Sequence, residues 1–197
     1  MKIIFKYSWI YDDQFRQGHK SVKSKPGYKY PSQKEIIKFK KELEGLWQKD
    51  GTKILEELSD ITGLKWKEEK ITCYIVGWAM PFSDPLTIPV YKDLEGAFDT
   101  LTHELVHQLF IQNEDRGNDY WKYINENYKK LPFNTRIHIP VHAIHEAIFM
   151  KFFGKERLDK EIKIMSAYEE YKKSWETVKK EGYKTIIKKF REEFKSL

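Results

Sequence analysis

Residues 99–110 read DTLTHELVHQLF, and they decide how the rest of the chain is organised. His103 and His107 stand four apart, with Glu104 directly after the first. On an α-helix that spacing puts both imidazoles on one face, their Cβ atoms about 5–6 Å apart, so two ring nitrogens can converge on one ion. Glu104, one residue on, is rotated away from the pair; it can reach a water on the ion more easily than the ion itself, which suits a general base. Leu105, Val106 and Leu109 are apolar and Thr100, Thr102 and Gln108 uncharged, so the helix can be buried without stranding a charge.

Outward from this stretch, the 197 residues suit one domain, with an α/β lobe to about residue 92 and a helical lobe over about 93–197. A composition 40% hydrophobic and 15% aromatic supports a core and excludes global disorder. The formal charge of +6 lies mostly in lysine pairs such as Lys172-Lys173 among glutamates, the pattern of solvated helix faces, with a surface for an acidic partner as the alternative. No finger, glycine-rich phosphate loop or basic-aromatic strand is present, so no nucleic acid partner is expected. The single cysteine, Cys73, allows no disulfide within the chain and sits in an apolar run, where it reads as a core residue. Lys6, Asp12 and Asp13 interrupt the N-terminal apolar residues, which argues against a signal peptide, and no apolar run reaches membrane-spanning length. The expectation is a cytoplasmic protein without a membrane segment.

Before the motif, KIIFKY (2–7) reads as a strand and the polar stretch 11–31, with Gly18, Pro26, Gly27 and Pro31, as a long loop or a loose hairpin. Ser32 and Glu35 stand at capping-box spacing ahead of Ile36, Phe39, Leu43 and Leu46, predicting a helix. A second short helix is expected near 53–61, stopping at Gly63. ITCYIVGW (71–78) reads as a buried strand, and LTIPVY (86–91) as a strand that Pro89 demotes to an edge. Asp93 can cap a helix over 94–111, the one that bears the motif.

After the motif the pattern is helical only. Residues 119–129 are weakly helical, and Pro132 and Pro140 bracket FNTRIHI, which reads as a loop. A strongly apolar helix is predicted from Val141 to Phe153, with Gly154 as its stop. Ile162, Met165, Tyr168, Tyr171, Trp175 and Val178 form one stripe, and Tyr183, Ile187, Phe190 and Phe194 another beyond Gly182. The fold class is α+β.

The His103, Glu104, His107 set within TLTHELVHQL resembles the zincin metallopeptidases. That resemblance implies one zinc ion per chain on the two histidines, and Glu104 polarising the attacking water. It also implies a motif helix beneath a small mixed sheet whose edge strand aligns an extended peptide or protein substrate. The branch with a further histidine six residues on, the metzincins, is disfavoured, because Asn113 and Phe110 stand where it needs histidine and glycine. The branch with a later glutamate, the gluzincins, is matched by IHEAIFMKFF, which puts Glu146 on the third-ligand position. A departure is Met150, where some of that branch carry an aspartate that orients a ligand; Asp99, one turn before His103, is the substitute candidate.

From the residues alone, His142 and His145 remain alternatives to Glu146. His138 reads as ordinary loop, and no oxyanion stabiliser is singled out among the tyrosines, Tyr168 and Tyr171 being the nearest in sequence. The expected activity is zinc-dependent peptide hydrolysis; the alternative is a zincin-fold regulatory or binding protein that keeps the zinc but is catalytically narrow or inactive.

Overall fold

Capping and alternation place the elements. In a computed structural model, which describes residues 1–21, 29–116 and 118–194, the order begins with β1 (Lys2–Lys6), α1 (Trp9–Ser21), α2 (Gln33–Thr62), β2 (Lys70–Val76), β3 (Phe82–Ser83) and β4 (Leu86–Pro89). It continues helically with α3 (Leu94–Ile111), a 3-10 turn (Glu114–Arg116), α4 (Asn118–Asn127), α5 (Phe133–Phe152), α6 (Lys155–Met165), α7 (Glu169–Glu181) and α8 (Tyr183–Glu193). The protein is α+β, helices and a small mixed sheet of order β1-β2-β4-β3. β1, β2 and β4 are parallel, and β3 runs antiparallel to β4. Among the described residues no helix is long and apolar enough to cross a membrane.

The chain forms two compact units, residues 1–53 with 68–108, and residues 54–67 with 109–197. The division falls inside α2 and α3, and most of the motif helix belongs to the unit that holds the sheet.

In the first unit, strand alternation turns Phe5, Ile71, Cys73, Ile75 and Ile88 to a buried face. α1 lies over the other face: the Tyr11 ring packs 4.9 Å from that of Tyr74, tilted by 53°, and its hydroxyl is 2.9 Å from that of Thr87. This helix replaces the loop expected at 11–31, as far as residue 21; residues 22–28 lie outside the described residues. Its signal was faint because Asp12 sits among its aromatic positions. Asp12 is nevertheless buried, accepting hydrogen bonds from the Tyr30 hydroxyl (2.6 Å) and the Gly77 amide (2.7 Å) and pairing with Arg16 at 3.2 Å.

The capping box forms as expected: Ser32 N–H donates to Glu35 Oε2 at 2.7 Å and Glu35 N–H to Ser32 Oγ at 3.3 Å. The helix it starts does not stop near 50, however. α2 runs 30 residues and absorbs the short helix expected at 53–61. Gly51 does not break it because the Trp47 indole lies across it, within 2.3 Å of where a Cβ would stand. The end comes at Gly63, φ 73°, as expected. β4 is not the edge along its first half, since Leu86 and Thr87 pair with β3; the residue beyond, Pro89, pairs only with β2.

In the second unit, α5 packs on α7 and α8. Tyr120, Phe190 and Phe194 fill one end of the core, with Phe110 stacked 5.1 Å from Phe190. α5 begins after Pro132 and passes through Pro140, so the loop expected at 133–139 is helix.

Candidate metal centre

Helix α3 starts where the sequence placed it. Asp93 Oδ1 accepts the Gly96 amide at 2.7 Å, capping the first turn. Thr100 donates to the Tyr91 hydroxyl at 2.9 Å, and Gln108 donates to the Ser83 carbonyl, tying both ends of the motif turn to the strand region. Trp47 of α2 packs against Phe98 with ring centres 5.4 Å apart. A helix held at so many points has little freedom to rotate, and the directions of His103 and His107 are fixed with it.

The two Nε2 atoms are 3.3 Å apart and the rings tilted 67°. Two nitrogens at 2.0–2.1 Å from a tetrahedral zinc are about 3.3–3.4 Å apart, so the pair stands at ligand spacing. His103 is buried and His107 half-buried. Asp99, one turn earlier on α3, is also buried.

Glu104 is 7% exposed and, among the described residues, has no hydrogen bond or ion pair. Burial alone pushes its carboxyl up to about 8. A buried carboxylate without a partner is costly, and no structural contact accounts for this one.

The structure gathers a different third residue with the two histidines. Ring nitrogens of His103, His107 and His138 lie within 4.8 Å of one another, close enough to hold one metal ion; Glu146 is not in this group. On α5, Glu146 is eight residues beyond His138, about 12 Å further along the axis. It is half-buried rather than sealed in the core, and the charges that act on it are those of Lys155 and Asp159 on α6. His142 and His145, the alternatives, are fully buried but engaged with aromatic rings. His142 lies 4.3 Å from Trp175 at an interplanar angle of 7°, and His145 stacks 4.2 Å from Phe149. Burial, and then the nearby Arg157, lowers the His145 ring to about 3.

His138 has the features of a ligand. Its Nδ1 is 2.8 Å from the Asn134 carbonyl, an oxygen that only accepts, so Nδ1 carries the hydrogen and Nε2 keeps its lone pair. Metal-binding histidines are commonly fixed in this way. Tyr171 flanks the ring at 4.4 Å, and burial lowers its pKa, favouring the neutral form that binds metal. Its signal lay in the sequence: His138, His142 and His145 keep helical spacing straight through Pro140.

Comparison of the chain with protein-family models, with curated proteins and with solved structures found no match.

Proposed function

We propose that the protein is a zinc-dependent hydrolase acting on peptide bonds, with His103, His107 and His138 as metal ligands and Glu104 as general base. The observation that carries this reading is the trio of imidazoles close enough to hold one ion, two of them on a helix that also carries the buried Glu104. The donor set fits the metal: three neutral histidine nitrogens leave one position of a tetrahedral zinc for water. Zinc, when bound, supplies a Lewis acid that brings the pKa of a water to about 7.

The chain's own residues do the rest. Glu104 takes a proton from the attacking water and passes it to the leaving amine. The carbonyl of Asn134 keeps His138 in one tautomer, and the capped, strapped α3 keeps the other two rings at fixed spacing. A second reading, a zinc-holding regulatory protein, is favoured by the burial of His103, Glu104 and His138, which restricts access to the centre.

Metal analysis of the purified chain should give one zinc per molecule. The Glu104→Gln protein should keep that zinc and lose about 10²–10⁴-fold in peptide hydrolysis. Equal activity in the variant would exclude the general-base role. Full zinc occupancy with no hydrolysis of unfolded protein by wild type would select the regulatory reading.

A further inference from the structure

A groove of about 510 Å³ runs along α8, within the size range of ligand sites. Its apolar lining comes from three helices: Ile61 of α2, Ala147 of α5, and Tyr183 and Ile187 of α8. Lys184, Lys188 and Arg191 also line it. These cations stand at i, i+4 and i+7, a row about 10 Å long on one face of the helix. Arg191 is held at the groove by donating Nη1 to the Asp60 carbonyl at 3.2 Å. Among the described residues the one carboxylate on the lining, Glu192, is 3.8 Å from Lys188 in an exposed pair that contributes little. Lys184 and Arg191 have no ion pair among the described residues.

The shape of this charge selects the occupant. A single anionic head on an apolar tail would meet one end of the row only. A ligand that matches three cations over about 10 Å must repeat its negative charge at roughly that period while offering apolar groups to the floor. An extended peptide advances about 3.3 Å per residue with alternate side chains on opposite faces, which supplies both at once. We infer that the α8 groove binds an acidic segment of a partner protein, its apolar side chains against Ile61, Ala147 and Ile187 and its carboxylates along Lys184, Lys188 and Arg191. This assignment does not depend on the metal centre, none of whose residues lines the groove.

The test is fluorescence polarisation of the full chain with a labelled decapeptide in which glutamate and leucine alternate. Saturable binding is expected. Lys184→Glu with Lys188→Glu should weaken it at least tenfold, while Lys41→Glu with Lys49→Glu, exposed lysines of α2, should change it less than twofold. Ala147→Trp, which fills the floor without altering charge, should also weaken it at least tenfold. Equal losses in both charge-reversal pairs would reduce the effect to net charge and overturn the assignment. Displacement of the probe by inorganic phosphate or dodecanoate as readily as by unlabelled peptide would also overturn it.

Discussion

Helices α3 and α5 each carry histidines four residues apart, and the two pairs have different fates. On α3 the Nε2 atoms of His103 and His107 meet at 3.3 Å. On α5 the rings of His138 and His142 are 5.4 Å apart, and His142 lies flat against Trp175. Helical spacing brings two imidazoles to one face in both cases. The neighbours of the two α5 rings differ: a carbonyl at Nδ1 leaves His138 a directed lone pair, while His142 packs on an indole face. Identity and spacing propose a metal site; the surroundings of each ring select its members.

The comparison breaks most sharply at the metal. His107→Ala should abolish zinc binding, and His138→Ala should weaken it by well over the 10–100-fold typical of losing a supporting contact. Glu146→Gln should leave it unchanged. Competition with a chromophoric chelator measures all three, and zinc loss in Glu146→Gln with retention in His138→Ala would reverse the assignment of the third ligand.

Next comes stability. His142→Ala removes a fully buried ring from the face of Trp175, and by analogy with other buried rings should cost about 3 kcal/mol in denaturant unfolding. Its zinc affinity per folded molecule should stay at the wild-type value. A destabilised protein that also loses its metal would put His142 in the centre.

The smallest and most discriminating effect is on pH. In chelator-treated protein the two helices should set opposite limbs of the stability curve. His145 is held neutral by burial, so the unfolded chain binds more protons than the fold below about 6.5, and stability falls as pH drops from there toward about 3. Glu104 is held protonated, so the fold binds more protons than the unfolded chain, and stability falls as pH rises from about 4.5 to about 8. His145→Phe should flatten the acid limb and Glu104→Gln the alkaline one, each by a few kcal/mol at most. Bound zinc should also flatten the alkaline limb, because a cation nearby favours the carboxylate.

How much of this was legible depended on whether the signal was local. Ser32 with Glu35 and Asp93 with the turn it caps are local contacts, and both form as the sequence proposed. The same holds for the helical presentation of His103, Glu104 and His107. The misses lie where a distant neighbour overrides a local rule. Trp47 covers Gly51 and carries α2 past a glycine; Tyr30 and Gly77 satisfy Asp12 and let α1 bury it. By the local rule Pro140 marks a helix boundary, which puts His138 in a loop and leaves Glu146 on the helix beyond; α5 instead runs through Pro140.

Pro140 has a last consequence. Without an amide hydrogen it cannot close the rung to the Arg136 carbonyl, so α5 is divided in its bonding ladder. The seven residues before it, His138 among them, are too few to stay helical by themselves. Thr135, donating to the Glu170 carbonyl at 3.0 Å, fastens that segment to α7. The protein therefore carries its third imidazole on the part of α5 that opens most cheaply. Amide deuterium uptake over 134–139 should outpace that over 142–152 in the stripped protein, and zinc should slow the first segment far more than the second.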